Sequence, residues 1–145
     1  MCVIIDANVW HHIYAAPAPS RYAEVVKWIR DRRGYLVIGG SRYGGQLPGE
    51  AKALVKEWSR SGLARVVLQA TVDDEEQAVR NLGLCRSDDE HIIALARVSG
   101  SRILCSDDQD LHADFGNSRL ISSPRGKVHP GDRHDFVMKR CRGCS

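Results

Sequence analysis

Short buried strands alternate with amphipathic helices along most of this chain, and this alternation constrains its fold more than any other feature. Apolar, β-branched runs predict five strands, at residues 2–5, 35–38, 65–68, 102–105 and 119–121. Apolar residues at helical spacing predict helices at 20–33, 48–61, 72–82 and 90–98. Strands that alternate with helices form a parallel sheet covered on both faces. We therefore expect an α/β fold, a three-layer α/β/α domain with a central, mainly parallel five-stranded sheet.

The predicted helices have start and stop signals in the sequence. Ser20 is a candidate N-cap for the first helix, and Gly34 and Gly62 follow the first and second helices as stop signals. Ser87 and Glu90 have the spacing of a capping box for the fourth helix. These signals support the placement of helices between the strands.

Size and composition predict one domain and exclude two broad classes. A chain of 145 residues is long enough for one core and too short for two. Its 43% hydrophobic and 27% charged residues are typical of soluble proteins, not of disordered chains or membrane proteins. We expect no membrane span and no secretion signal, so the predicted compartment is the cytoplasm. The cysteines at positions 2, 85 and 105 are expected to be reduced core residues.

The segment 124–145 is predicted to be a basic C-terminal tail after a domain at 1–123. Residues 125–145 contain six Lys or Arg against two Asp, which accounts for the net charge of +3. Such a tail could contact nucleic-acid phosphates or be a solvated extension. Cys141 and Cys144, with His129 and His134 upstream, could ligate zinc, but we favour a reduced cysteine pair.

Three sets of aspartates lie in equivalent places in the predicted topology. Asp6 ends the first strand, Asp107 and Asp108 follow the fourth, and Asp88 and Asp89 precede a helix. Single aspartates at such places cap helices or build turns. Three sets at one sheet edge would repel one another, and a divalent cation such as Mg²⁺ or Mn²⁺, which prefers oxygen ligands, would relieve that repulsion. The pattern favours a metal site over unrelated caps.

The residues around these aspartates resemble the PIN-domain nucleases, which include the ribonuclease toxins of bacterial toxin–antitoxin pairs. The similarity covers residues 1 to about 121 and is carried by VIIDAN at 3–8, DEHIIALA at 89–96 and ILCSDDQDL at 103–111. It implies an endoribonuclease that depends on Mg²⁺ or Mn²⁺ and acts on RNA. It also implies an antitoxin protein and a second copy of the chain, forming a homodimer, as candidate partners.

The resemblance assigns site residues by motif. Asp6, Asp89 and Asp108 would be the core acids and metal ligands, and Asp110 a fourth acid. Asn8 and Ser106 would be polar supports. Asp88 and Asp107 would point elsewhere.

One position departs from the family pattern. Gln46 stands where these nucleases carry a glutamate, and the loss of that charge would weaken metal binding. Glu50 could replace it if a helix began early, although Gly44, Gly45 and Pro48 disfavour an early start. Three outcomes are therefore expected: the chain uses Glu50 in place of the missing acid, it is a slow enzyme, or it has lost activity.

Other residues near the predicted site have two interpretations. Arg42 and Tyr43 lie on a glycine-rich segment, where they could hold a phosphate and a base. His91, next to Asp89, could contact RNA or donate a proton, but we favour a surface histidine without such a role. Trp10, Trp28 and Trp58 are predicted to be core or interface residues rather than base-stacking platforms.

Two further functions remain open. An aspartate-nucleophile phosphatase would also place Asp6 after the first strand, but it expects a second acid where Asn8 stands. A nuclease-like fold that only binds RNA or protein would explain Gln46. Loss of cleavage in folded aspartate variants distinguishes the nuclease from both alternatives.

Overall fold

The computed structural model describes residues 1–14, 21–129 and 131 of the chain. Its centre is a five-stranded sheet in which neighbouring strands are parallel and the order is β3-β2-β1-β4-β5. The strands are β1 (Cys2–Ile5), β2 (Tyr35–Ile38), β3 (Ala64–Val66), β4 (Ile103–Cys105) and β5 (Lys127–Val128). The central strands β1 and β4 are entirely buried, because strands flank each of them and helices cover both faces.

Seven α-helices lie in the described residues and connect the strands. They are α1 (Trp10–Tyr14), α2 (Ala23–Arg30), α3 (Ser41–Gln46), α4 (Gly49–Ser61), α5 (Gln69–Leu82), α6 (Glu90–Ser99) and α7 (Gln109–Phe115). Helix α1 contacts α2 and α4, whereas α5 contacts α6 and α7 contacts β5. Right-handed crossovers place these two groups on opposite faces of the sheet. The predicted three-layer α/β/α class is confirmed.

The core contains the three tryptophans. Trp10, Trp28 and Trp58 are all buried, and the rings of Trp10 and Trp58 lie 6.3 Å apart between α1 and α4. Their prediction as interior residues is confirmed. Within the described residues, no helix combines the length and the apolar character needed to cross a bilayer.

The fifth strand is not where the sequence predicts it. Residues 119–121 form a turn and a bend, although Leu120 and Ile121 are buried. Their apolar character reflects packing against the core rather than pairing in the sheet. The fifth strand is Lys127–Val128, which pairs with β4 inside the segment predicted to be a tail. The sheet therefore extends beyond the predicted domain boundary at residue 123.

Helices α6 and α4 begin close to where the sequence predicts, at Glu90 and Gly49, but the predicted cap of α6 is wrong. Helix α6 has Asp89 rather than Ser87 at its N-cap, and the Ser87 hydroxyl instead donates to Asp114 and accepts the Asp89 N–H. The predicted capping box is therefore not formed. Helix α4, which carries Glu50, does not begin early, and Ser41–Gln46 form a separate short helix that the sequence did not predict.

Four glycines with positive φ lie next to helix ends, where a left-handed backbone conformation favours glycine. Gly62, Gly83 and Gly100 terminate α4, α5 and α6 with φ of 78°, 65° and 79°. Gly40 turns the chain from β2 into α3 with φ of 90°, and a Cβ there would lie 2.8 Å from Val72 Cγ1. A side chain at position 40 would therefore strain the backbone and collide with α5.

The cysteines only partly follow their prediction. Cys85 and Cys105 are free, as expected. Cys2 is disulfide-bonded, so its prediction as a reduced residue is wrong, and its partner lies outside the described residues. Spacing along the chain does not show which thiols approach within bonding distance. Cys141, Cys144 and His134 also lie outside the described residues, whereas His129 is buried and accepts the Gly131 N–H through Nδ1.

Candidate acidic active site

The candidate site lies where the order of the strands reverses. The chain leaves β1 toward β2 on one side of the sheet and leaves β4 toward β5 on the other, and β1 and β4 are neighbours. In open α/β sheets, such a switch point opens a crevice at the carboxyl ends of the strands. Asp6 follows β1 directly, and its N–H donates to the Cys105 carbonyl over 2.9 Å. The loops after β1 and β4 are therefore held side by side.

Asp6 is a buried carboxylate with an organised set of donors. Its side chain accepts a hydrogen bond from Ser106 Oγ at 2.7 Å, and the backbone N–H groups of Ala7 and Asn8 lie near enough to lower its pKa. Burial raises the pKa of Asp6, the Ser106 and backbone bonds lower it, and the charge of Asp108 raises it again. Asn8 acts on Asp6 through its backbone, and its side chain is exposed.

Asp108 is anchored at the start of α7. Its Oδ1 accepts the N–H groups of Asp110 at 2.9 Å and Leu111 at 3.2 Å, which caps the helix. Its own N–H donates to Ser106 Oγ at 3.1 Å. The Ser106 hydroxyl therefore links the two loops, since it accepts from Asp108 and donates to Asp6.

Asp89 completes the cluster from the start of α6. Its pKa is raised to about 6, first by burial, then by the charge of Asp6, and then by a hydrogen bond with the Asp108 side chain and the charge of Asp108. Arg42 lowers it in part. Asp6, Asp89 and Asp108 thus come from three separate stretches of the sequence and lie close enough for their charges to act on one another, and we call them the acid cluster.

The loop that carries Asp89 is held by a buried acid that the sequence analysis missed. Asp114 is 2% exposed and accepts hydrogen bonds from Arg86 N at 2.8 Å, Ser87 N at 2.9 Å and Ser87 Oγ at 2.7 Å. Asp114 lies on α7, the helix that Asp108 caps. Helix α7 therefore has Asp108 at its start and, through Asp114, holds the loop before Asp89. The feature of the sequence that could have identified Asp114 is its position on the apolar face of α7, next to Phe115.

Arg42 is a second residue that supports the acid cluster from outside it. Its Nη1 lies 3.1 Å from Glu76 and 3.7 Å from Glu90, and its Nη2 donates to the Asp88 carbonyl at 2.9 Å. Arg42 therefore joins α3, α5 and α6 and fixes the backbone next to Asp89. Glu76 and Glu90 were not identified from the sequence, because single acids on amphipathic helices carry no distinctive signal.

Tyr43 has a different role from the predicted base contact. It is 2% exposed, its hydroxyl donates to the Ile5 carbonyl at 2.6 Å, and it accepts from Trp10 Nε1 at 3.3 Å. A buried ring cannot stack on a substrate base, so the predicted contact is wrong. Tyr43 instead ties α3 to the end of β1, immediately before Asp6.

The side chains predicted as a fourth acid or its substitutes are all exposed. Gln46 is exposed at the end of α3, and Glu50 is exposed on α4, where it lines a cavity of about 270 Å³ with Ile13 and Tyr14. Asp110 is exposed in the first turn of α7, where its N–H, rather than its carboxylate, contacts Asp108. Asp88 is also exposed, and Asp107 forms an ion pair with Arg21.

His91 is buried rather than on the helix surface, so that prediction is wrong. It is 1% exposed, and neither ring nitrogen has a hydrogen-bond partner. Burial, and to a lesser degree the charge of Arg42, lowers its pKa to about 4. The ring is therefore neutral at physiological pH. Helical spacing missed this because α6 is buried on nearly all sides, from His91 through Ala96.

The donors of the acid cluster suit a hard divalent cation, but they do not form a complete cage. Among the residues that the structure describes, no group of three or more His, Cys, Asp or Glu side chains is arranged to hold a metal ion. Mg²⁺ is usually bound by one or two carboxylates and keeps several waters, so a full cage is not required. Asp89 and Asp108, close enough that Asp108 raises the pKa of Asp89, are the donors that fit this mode.

Fold and site together define an α/β/α protein with three interacting carboxylates at the switch point of an all-parallel sheet. No family model, curated protein or solved structure matches this chain. Its function is therefore argued from the geometry of the site and from the motifs around the three aspartates.

Proposed function

We propose that this protein is an endoribonuclease that depends on Mg²⁺ or Mn²⁺ and acts at the acid cluster. The observation that supports this proposal is the convergence of Asp6, Asp89 and Asp108, with the pKa of Asp89 raised to about 6. Like charges gathered in a partly buried pocket destabilise the fold unless a cation or protons neutralise them. Their place at the switch point is where α/β proteins bind ligands.

The proposed reaction is hydrolysis of a phosphodiester by water. A divalent cation held by the acid cluster would lower the pKa of a bound water and stabilise charge on the phosphate oxygens. Asp89 and Asp108 provide the cation ligands, and Asp6 lies beside them with its orientation held by Ser106. Asp114, Arg42 and Tyr43 position the loops that carry these acids. No protein nucleophile is required.

RNA as the substrate, an antitoxin as a partner and a homodimer all rest on the resemblance of the motifs to PIN-domain nucleases. The neutral, exposed Gln46 leaves the cluster without the fourth acid of that pattern. We therefore propose slow turnover, supported by three acids rather than four.

The test is cleavage of fluorescently labelled single-stranded and hairpin RNA with Mg²⁺ or Mn²⁺. Asp6→Asn and Asp108→Asn keep the size of the side chains and remove one charge each, and we expect each to reduce cleavage by at least about 100-fold, a barrier increase of about 2.7 kcal/mol. Asp74→Asn is the matched control, because Asp74 is exposed on α5. Circular dichroism checks that all variants fold.

Three results would contradict the proposal. Cleavage that persists in EDTA would exclude the metal-dependent mechanism. Equal activity in wild type and Asp6→Asn would indicate a contaminating nuclease. RNA binding without Mn²⁺-stimulated cleavage would favour a binding module.

A further inference from the structure

We propose that a groove between α4 and the edge strand β3 binds an acidic amphipathic helix of a partner protein. We call it the α4–β3 groove and define it by an apolar floor of Ile38, Val55 and Val66 and a basic rim of Lys52, Lys56 and Arg60. The inference is independent of the acid cluster, because it uses a different surface and different residues.

The floor of the groove is apolar, and it is exposed through Val66. The groove has a volume of about 490 Å³. Val66 on the edge strand β3 is 66% exposed, whereas Ile38 and Val55 are each 8% exposed at the bottom of the groove. Leu68, two residues after Val66 and outside the groove lining, is 71% exposed and extends the apolar surface. Large apolar residues clustered at a surface mark interaction sites more often than isolated ones do. The floor therefore favours a partner that buries apolar side chains.

The rim provides charge on one side of that floor. Lys52, Lys56 and Arg60 are spaced four residues apart on α4, so they form one ridge with steps of about 6 Å. None of them forms an ion pair within the part of the chain that the structure describes, and no acidic side chain lines the groove. An occupant must therefore supply the negative charge.

A helix matches this surface better than other occupants. Acids at every fourth position of a helix repeat at the same step of about 6 Å as the rim, and apolar residues beside them would reach the floor. The rim could contact the phosphates of a single-stranded nucleic acid, but the bases of such a strand stack on exposed aromatic rings, and Tyr43, the aromatic residue that lines the groove, is buried. The chain's own segment 125–145 has six Lys or Arg against two Asp, so its composition does not supply the acids that the rim requires.

The experiment uses the full chain and a fluorescein-labelled helical peptide with Glu at every fourth position and Leu along the adjacent stripe. The control peptide has the same composition in scrambled order. Fluorescence anisotropy is expected to show at least tenfold tighter binding of the patterned peptide, with affinity that falls as salt is added. Lys56→Glu and Val66→Ser should each weaken it at least tenfold.

Matched controls separate the groove from general effects of charge and hydrophobicity. Arg119→Glu reverses an exposed cation elsewhere, and Leu82→Ser removes an exposed apolar side chain on α5. Neither should change binding. The substituted positions are exposed, and circular dichroism verifies that the variants fold.

The proposal is overturned by equal affinity for both peptides, or by binding that is insensitive to Lys56→Glu and Val66→Ser. It is also overturned if labelled single-stranded RNA, rather than the peptide, loses affinity in these variants. Self-association that disappears in Val66→Ser, measured by sedimentation velocity without peptide, would show that a second copy occupies the groove.

Discussion

Replacing Asp108 by asparagine tests whether the three aspartates share one electrostatic site. Asparagine caps helices as well as aspartate does, so the start of α7 should be retained. The substitution removes the charge of Asp108 and changes its hydrogen bond with Asp89, two of the causes that raise the Asp89 pKa. We expect the pKa of Asp89 to fall from about 6 toward its ordinary value, but not to reach it, because burial and Asp6 remain.

The sign of the effect on stability follows from proton linkage. The folded pKa of Asp89 is raised to about 6 from the model-compound value of 3.8. The folded state therefore holds a proton that the unfolded state releases between about pH 4 and pH 6, and stability falls as pH rises through that window. Between about pH 4 and pH 6, the Asp108→Asn variant should therefore lose less stability than wild type. Wild type and variant should converge near pH 3, where the carboxyls are protonated in both states.

The magnitude can be estimated from the size of the shift. At 1.36 kcal/mol per pKa unit, the whole Asp89 shift corresponds to about 3 kcal/mol. Asp89 is only half-buried, so solvent screening reduces this to about 1 kcal/mol, of which Asp108 supplies a part. We expect Asp108→Asn to lower the Asp89 pKa by about 0.4 and, by the same conversion, to stabilise the fold at pH 7.5 by about 0.5 kcal/mol.

The assay is a carboxyl ¹³C NMR titration of wild type and Asp108→Asn in EDTA, paired with urea denaturation at pH 3, 5 and 7.5. Addition of Mg²⁺ to wild type should lower the Asp89 pKa, since the cation favours the carboxylate. An Asp89 that titrates near pH 4 in wild type would refute the reasoning, as would a pKa that does not respond to Asp108→Asn.

Three further substitutions test the surroundings of the acid cluster. Asp114→Ala should destabilise the fold by about 2–3 kcal/mol in urea denaturation, because the Ser87 N–H loses its buried acceptor, whereas Asp74→Ala should have little effect. Tyr43→Phe should cost about 1 kcal/mol in the same assay, since the Ile5 carbonyl loses its hydroxyl donor; an unchanged midpoint would contradict that contact. His91 should titrate near pH 4 by NMR, and a midpoint near 6.5 would show that the ring is exposed to water.

The sequence alone determined the architecture, because hydrophobic periodicity depends on neighbours within one element. The strands at 2–5 and 35–38 were placed correctly, and the alternation of strands and helices implied the parallel sheet. The sequence also indicated that Asp6 and Asp108 would lie close together, since the carboxyl ends of parallel strands lie at the same edge of the sheet. The turn at 119–121 was misassigned because burial against the core gives the same apolar pattern as a strand.

Only the tertiary structure decided which side chains serve the site. Asp114, Arg42 and Tyr43 act through partners that lie 27 to 48 residues away, and no local pattern encodes such contacts. The burial of His91 follows from packing on several sides of α6, which its own spacing does not reveal. The elevated pKa of Asp89 likewise arises from burial and from the charges that two other loops bring to it. Periodicity describes an element, whereas burial and electrostatics belong to the assembled fold.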